Sequence, residues 1–189
     1  FFSVITGDSS LRRRPVDRVI IPLSLMGAEF WSRGNNKFPP VAVKGRYPLK
    51  PVNYELPVAS AQVKSAIIIA GLFTDGKSSI TEPLPSRDHT ERLLPAFGAK
   101  IEKNGNTVTV YGGQGLEGQK IYIPGDFSSA SFFMVAGLIV PESEILIKDV
   151  GLNPGRIGLL GVIERMGGDI EVYHKKDMLN EPVGDILVR

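Results

Sequence analysis

Three arginines stand where helices are predicted to begin. Arg14, Arg87 and Arg156 each follow a short stretch rich in β-branched residues and precede an apolar stretch. The amino end of a helix favours anions, because it presents free N–H groups and a partial positive charge. An arginine at all three of these helix starts indicates an anionic ligand that the arginine and the helix end bind together. An equally open interpretation is that each arginine ties a loop carbonyl or an acidic neighbour.

A serine is placed to cap the most apolar predicted helix. Ser60 follows Pro57 and opens the stretch Ser60-Ala61-Gln62-Val63-Lys64-Ser65. A serine at the N-cap accepts a hydrogen bond from a backbone N–H of the first turn, and the neighbouring amides face whatever lies at the helix end. The pattern fits a plain cap as well as a ligand site.

The densest polar string in the chain is Ser86-Arg87-Asp88-His89-Thr90-Glu91-Arg92. It has the pattern of a cap followed by an acidic first turn. His89 has the chemistry of a general base, although a single histidine in a capping segment more often has a structural role. We expect no metal site, because two ligands on one helix face need a spacing of three or four residues, which His89 and Glu91 do not have.

Composition excludes several classes of function. The 189 residues include no cysteine and 2 histidines, and 22 basic against 20 acidic side chains give a net charge of +2. Disulfide and thiolate chemistry are therefore excluded, and no phosphate-binding P-loop or serine-nucleophile elbow is present. The longest apolar runs, 66–73 and 132–140, are far shorter than the ~20 residues of a membrane span.

One five-residue phrase occurs three times, as Met26-Gly27-Ala28-Glu29-Phe30, Phe97-Gly98-Ala99-Lys100-Ile101 and Met166-Gly167-Gly168-Asp169-Ile170. Its first glycines lie 98 − 27 = 71 and 167 − 98 = 69 residues apart. Glycine suits the position just after a helix, and the apolar residue three positions later begins a strand pattern. The sequence therefore predicts three copies of one unit, in the order helix, strand, loop, arginine, helix, hairpin.

Local signals place elements within these copies. Strands rich in β-branched residues are predicted at 3–6, 79–82 and 144–147. Asn104-Gly105 predicts a hairpin turn. Pro15 fits the first turn of the helix after Arg14, and Pro22 predicts a kink or an early end. The small residues at 125–131 favour close packing of the next helix, and 153–155 form a turn pattern.

Together these phrases resemble the 5-enolpyruvylshikimate-3-phosphate synthase family. The resemblance runs over essentially the whole chain, through Gly7-Asp8-Ser9-Ser10-Leu11 with Arg14-Pro15, residues 60–66, Arg87-Asp88-His89-Thr90-Glu91, residues 124–130 and Val150-Gly151-Leu152-Asn153. Any one of these segments is a weak signal, but five in order are highly specific. The Ser-Ala-Gln form at 60–62 is similar to that of a bacterial group within the family.

The resemblance implies an α/β fold of two domains built from repeated βαβαββ units. Helices lie inside and sheets outside, an inside-out α/β barrel of the enolpyruvyl transferase type. The hinge is expected near 123–125. Residues 1–124 then form part of the first domain, about one and a half units, and residues 125–189 begin the second with one incomplete unit. The family's N-terminal Pro-Gly-Ser-Lys-Ser segment and its C-terminal acid/base carboxylates are missing, so we expect a fragment that is inactive alone.

The resemblance also implies the ligands. Ser60, Gln62, Ser86 and Arg87 would contact shikimate 3-phosphate, and Arg14 and Gln62 would contact phosphoenolpyruvate. The implied reaction moves the enolpyruvyl group to the 5-hydroxyl of shikimate 3-phosphate and releases phosphate, in the pathway to chorismate and the aromatic amino acids. No cofactor or metal is implied, and no catalytic residue is assigned within the chain. The family also implies a cytoplasmic enzyme, monomeric at full length, without nucleic-acid or membrane partners.

Two alternatives stay open. UDP-N-acetylglucosamine enolpyruvyltransferases have a phrase similar to Arg14-Pro15-Val16-Asp17, and the pattern at 87–90 is the better discriminator between the two activities. A non-enzymatic anion- or RNA-binding module would use the run Arg12-Arg13-Arg14. Affinity for nucleic acid should then fall steeply with salt.

Overall fold

The structure, a computed structural model, describes residues 1–189 and divides into two compact units. Unit 1 consists of residues 1–86 and 98–116, and unit 2 of residues 87–97 and 117–189. Two segments that the sequence assigns to the first domain, 87–97 and 117–124, thus belong to unit 2. The predicted hinge near 123–125 stays a prediction.

Unit 1 contains two sheets. The first is antiparallel, in the order β1-β3-β2, and consists of β1 (Phe2–Ile5), β2 (Glu29–Ser32) and β3 (Phe38–Lys44). The second has the order β4-β5-β7-β6 and consists of β4 (Asn53–Glu55), β5 (Lys77–Thr81), β6 (Ile101–Asn104) and β7 (Thr107–Tyr111). Within it only the β4–β5 pair is parallel.

The core of unit 1 lies between a helix and the second sheet. The helices of this unit are α1 (Asp17–Leu25), the single turn α2 (Arg33–Asn36) and α3 (Ala61–Gly71). Ile67 and Ile68 of α3 are fully buried, as are Ile80 of β5 and Val110 of β7. Side chains alternate between the two faces of a strand, so the buried valines at 108 and 110 mark the face of β7 that meets the helix.

Unit 2 packs its helices on an antiparallel sheet. Its elements are α4 (His89–Leu93), α5 (Phe127–Ile139), β8 (Ile145–Gly151), α6 (Gly158–Arg165), β9 (Ile170–Met178) and β10 (Glu181–Val188), with strand order β8-β10-β9. Phe127 and Met134 of α5, Ile163 of α6 and Ile186 of β10 lie in its core. None of the helices in the protein has both the length and the apolar character that a membrane span requires.

The predicted repeat order is present. The series α3, β5, α4, β6, β7 recurs as α5, β8, α6, β9, β10. The three phrase glycines, Gly27, Gly98 and Gly167, have φ of 98°, 90° and 80°, the left-handed conformation that glycine adopts at least cost. Each follows a helix and precedes a strand, as predicted.

Two local predictions are wrong in detail. Asn104 pairs with Thr107, so the two loop residues of the β6–β7 hairpin are Gly105 and Asn106 rather than Asn104 and Gly105. Gly105 has φ of 57° while Asn106 has no positive φ, which fits a turn with glycine in its first central position. The helix α1 begins only at Asp17, so Pro15 lies before the helix and not in its first turn. The helix includes Pro22 and ends at Leu25.

Candidate functional site

Ser60 is the N-cap of α3. Its backbone is extended, with φ of −151° and ψ of 102°, and its hydroxyl oxygen accepts a hydrogen bond from the Val63 N–H at 3.4 Å. The prediction of a cap is therefore confirmed. A serine hydroxyl carries one donor and two acceptor positions, so this capping bond leaves the Ser60 O–H proton available to an anion at the helix end.

Gln62 is the second residue of the same helix and is exposed. Its Oε1 accepts a hydrogen bond from Arg18 Nη2 at 2.7 Å. The carbonyl end of the side chain is thereby occupied, which leaves the amide NH2 as a donor. Beside this turn a cavity of about 350 Å³ is lined by Arg18, Tyr54, Ser60 and Val63, among others.

A buried ion pair lies behind the first turn of α3. Lys64 Nζ and Glu82 Oε1 are 2.6 Å apart, and the two side chains are only 2% and 3% exposed. No sequence pattern predicts this pair, because lysine and glutamate are rarely buried. Burying two charges is tolerated only when they are paired and hydrogen-bonded.

Ser86 is bound to the same carboxylate. Its N–H donates to Glu82 Oε2 at 2.9 Å and its hydroxyl donates to Glu82 Oε1 at 2.7 Å. Both of its donors are thus in use, so an incoming phosphate would compete with Glu82 for the Ser86 hydroxyl proton. The chain of contacts from α3 through Lys64 and Glu82 fixes Ser86 relative to the turn that Ser60 caps.

Arg14 follows a 3₁₀ turn at Leu11–Arg13 and is exposed. Its N–H donates to the Leu11 carbonyl at 3.0 Å, while its guanidinium makes no hydrogen bond or ion pair within the protein. Its neighbour Arg13 donates to the Ser9 carbonyl at 3.1 Å. Of these two arginines only Arg14 therefore has its whole charge open to a ligand.

Arg87 is the first residue of the segment that belongs to unit 2, and it precedes α4 by two positions. It is exposed, and its guanidinium also has no partner within the protein. The residues that follow it are tied down. Asp88 accepts from Arg92 Nε at 2.8 Å, a contact that raises the pKa of Arg92, and His89 Nδ1 lies 2.7 Å from Glu181 Oε1.

Arg156 occupies the position in the third repeat that Arg87 occupies in the second, but it pairs with an acidic side chain. Its Nη2 is 2.6 Å from Asp126 Oδ1 and 2.6 Å from the Ser128 hydroxyl. Asp126 caps α5 by accepting from the Ser129 N–H at 3.0 Å. Desolvation alone would raise the pKa of Asp126, but the bonds from Ser129 and Ser128 and the Arg156 charge lower it. For Arg156 the acidic-neighbour interpretation is therefore confirmed.

The predicted ligands thus fall into three places. Ser60, Gln62 and Ser86 belong to unit 1 and are connected through α3 and the Lys64–Glu82 pair. Arg14 lies in the loop before α1, and Arg87 belongs to unit 2. Their roles at a ligand stay predictions. What the structure adds is an N-cap hydroxyl and two unpartnered guanidinium groups, the donor types that bind phosphates and carboxylates.

Similarity to solved structures identifies the class of fold. An enolpyruvyl transferase, NikO from Streptomyces tendae, aligns with 97% of this chain and 43% of its own at a TM-score of 0.70 and 14% identity. EPSP synthase from Acinetobacter baumannii aligns with 100% of this chain and 42% of its own, at a TM-score of 0.89 and 45% identity. The mixed α/β structure is therefore part of an enolpyruvyl transferase fold.

Sequence relatives narrow the class to one family. The family described as EPSP synthase (3-phosphoshikimate 1-carboxyvinyltransferase) matches residues 1–187. The 3-phosphoshikimate 1-carboxyvinyltransferases of Petrotoga mobilis and Geobacter sulfurreducens are both 53% identical over 100% of this chain. The chain belongs to the EPSP synthase family, and it spans 44% of the length of these two relatives.

Proposed function

We propose that the full-length protein carrying this sequence transfers the enolpyruvyl group of phosphoenolpyruvate to the 5-hydroxyl of shikimate 3-phosphate. The observation that carries the proposal is the family match over residues 1–187. Two features of the chain support it independently. Arg14 and Arg87 have no partner within the protein, and the Ser60 hydroxyl keeps a free proton at the capped end of α3.

The proposed reaction has two stages. In the first, the 5-hydroxyl oxygen bonds to C2 of phosphoenolpyruvate, the hydroxyl proton leaves, and C3 gains a proton, which gives a tetrahedral intermediate. In the second, the bond from C2 to the phosphate oxygen breaks and C3 loses a proton, so the double bond forms again and phosphate departs. No cofactor takes part, and we assign no proton transfer to residues of this chain.

The residues of this chain would bind and orient the two anions. Ser60 and Ser86 hold the phosphate of shikimate 3-phosphate, and Gln62 and Arg87 contact the same substrate. Arg14 and Gln62 contact phosphoenolpyruvate. Fixed donors of this kind stabilise charge that develops in a transition state, and holding both substrates in place removes much of the entropic barrier to their reaction.

The wider setting is part of the same proposal. The full-length protein would be a cytoplasmic monomer with two domains of βαβαββ units, helices inside and sheets outside, and a hinge near 123–125. This division would put Ser60 and Ser86 in the first domain and Asp126 beside the hinge. The product would enter the pathway to chorismate and the aromatic amino acids.

The test is phosphate release by the full-length protein. We expect release that requires both shikimate 3-phosphate and phosphoenolpyruvate and that saturates with each. Replacing shikimate 3-phosphate by UDP-N-acetylglucosamine is the matched control for the alternative acceptor and should give no release. A folded full-length protein that is inactive with shikimate 3-phosphate, or that uses only the nucleotide sugar, would contradict the proposal.

A further inference from the structure

The segment at 87–97 needs support from the rest of unit 2. Its helix, α4, has five residues, and the side chain of its N-cap residue Asp88 makes no capping hydrogen bond. A helix of this length is marginal without tertiary contacts, because forming the first turn is unfavourable. Arg87 lies just before this helix. The contacts that hold the segment in place therefore also limit the positions available to the Arg87 guanidinium.

Asn153 provides the central contact. This side chain is 2% exposed. Its Nδ2 donates to Asp88 Oδ1 at 2.9 Å and to Glu181 Oε2 at 3.1 Å, while its Oδ1 accepts from the Gly155 N–H at 2.9 Å. The amide nitrogen thus donates two hydrogen bonds and the amide oxygen accepts one. This neutral side chain therefore joins two carboxylates that would otherwise repel each other.

The surrounding contacts hold the same segment. Glu181 also binds His89, and Asp88 also binds Arg92, which donates through Nη1 to the Asn180 carbonyl at 3.1 Å. The Asn180 side chain returns a bond to the Arg92 carbonyl at 3.1 Å. The start of β10 therefore binds the first residue of α4, and the turn before β10 binds the last turn of this helix.

Arg87 lies beside the turn that follows Asn153. A methyl group added at Gly155 would lie 3.2 Å from Asn153 Oδ1, 3.4 Å from Arg87 Cα and 3.6 Å from Arg87 Cγ. The turn thus lies beside the Arg87 main chain, and Asn153 holds the next residue, Asp88. The Arg87 guanidinium itself has no protein partner. A fixed main chain with a free charged end is the arrangement expected of a ligand-binding arginine.

We propose that Asn153 is a positioning residue for Arg87, acting through Asp88 and the turn at Gly155 on the binding of shikimate 3-phosphate. This inference rests on the proposed function. Asn153 itself need not touch substrate. Its effect on binding should therefore depend on the presence of the Arg87 guanidinium.

A double-mutant cycle in the full-length protein tests this. Calorimetric titration with shikimate 3-phosphate gives the Kd of the wild type, N153A, R87A and N153A/R87A. We expect N153A alone to raise the Kd about tenfold, and to have less than a twofold effect once Arg87 is alanine, because coupled residues are not additive. Additive effects, or an unchanged Kd in N153A with normal thermal unfolding, would overturn the inference.

Three further variants keep the test decisive if N153A does not fold. G155A retains the buried amide, but its methyl group would lie 3.2 Å from Asn153 Oδ1, which is tighter than an ordinary contact, so the turn must shift. This variant should raise the Kd severalfold and show the same dependence on Arg87. His89→Ala and His174→Ala form a matched pair, since each removes a histidine bound to a carboxylate of β10, Glu181 or Asp185. Only His89→Ala should weaken binding, because only His89 belongs to the held segment, and equal effects of the two would contradict the inference.

The outcomes separate this inference from the proposed function. A wild-type protein without turnover on shikimate 3-phosphate and phosphoenolpyruvate defeats the proposed function. An active wild type in which R87A weakens binding but the cycle is additive defeats only the role of Asn153.

Discussion

Ser86 and Arg87 are consecutive residues, but two different polar clusters hold them. In unit 1 the Ser86 hydroxyl binds Glu82, whose charge is balanced by Lys64 with almost no exposure to water. In unit 2 the residue after Arg87 is held by Asn153, a neutral amide. Loss of one partner from a buried ion pair leaves a charge in the core, whereas loss of an amide removes directed bonds. The first cluster should therefore govern stability and the second should govern binding.

The largest effect should come from breaking the buried pair. Glu82→Gln removes the carboxylate charge beside Lys64 and should lower the free energy of unfolding by about 3–5 kcal/mol. Urea denaturation of the full-length protein measures it. Glu29→Gln is the matched control, since the Lys44–Glu29 pair has side chains 59% and 56% exposed and should contribute less than about 1 kcal/mol. Similar losses for both variants would remove the distinction between the clusters.

Arg87→Ala should affect binding instead of stability. The variant removes charge-assisted bonds to shikimate 3-phosphate, so its Kd should rise about 10- to 100-fold, while the unfolding temperature stays within a degree or two, about the scale of scatter for surface changes. Calorimetry and thermal unfolding measure the two quantities. Arg156→Ala is the control, because that charge is already paired with Asp126. A comparable loss of affinity in both variants would show that position alone does not distinguish these arginines.

Arg14 extends the comparison to a residue that neither the Lys64–Glu82 pair nor the Asn153 cluster holds. Arg14→Ala should raise the KM for phosphoenolpyruvate about tenfold through loss of a charged contact and leave the Kd for shikimate 3-phosphate nearly unchanged. Steady-state kinetics with each substrate varied measure this split. Arg12→Ala removes an exposed charge two residues away and should change neither. Equal losses for both substrates would indicate structural damage, and salt-sensitive binding of RNA would favour the alternative module.

The smallest effect concerns the contact between the exposed side chain of His174 and the carboxylate of Asp185. The Asp149 N–H and then His174 lower the pKa of Asp185. A lowered carboxyl pKa means that Asp185 stabilises the fold above the carboxyl pKa of the unfolded chain and that this stabilisation is lost as the pH falls through the folded value. Asp185→Asn should therefore be slightly less stable than wild type at pH 7, with the difference shrinking below about pH 4. A difference in the free energy of unfolding that grows as the pH falls below about 4 would contradict this sign.

The sequence predicted features that depend on neighbouring residues. The phrase glycines, the Ser60 cap and the helix–strand order follow from local backbone preferences, and each is present. The hairpin was placed correctly, but its loop was shifted by one residue. Asn-Gly favours one turn type, whereas pairing of Asn104 with Thr107 selects another.

The parts that sequence reasoning missed depend on contacts between distant residues. Lys64 and Glu82 belong to a helix and to the end of a neighbouring strand, and Asn153 meets partners at positions 88 and 181. No periodicity marks a buried charge or a bridging amide. The family resemblance pointed to Arg87 but not to what holds it, because Asn153 looked like an ordinary turn residue beside a proline.

That proline protects the amide chemically. Asparagine side chains deamidate when the nitrogen of the next residue attacks the side-chain carbonyl, and Pro154 has no N–H with which to do so. Deamidation of Asn153 would place a third carboxylate against Asp88 and Glu181. Asn104, exposed and followed by Gly105, has no such protection. As the protein ages, we therefore expect the hairpin of unit 1 to accumulate acidic and isomerised residues while the bridge at Asn153 survives.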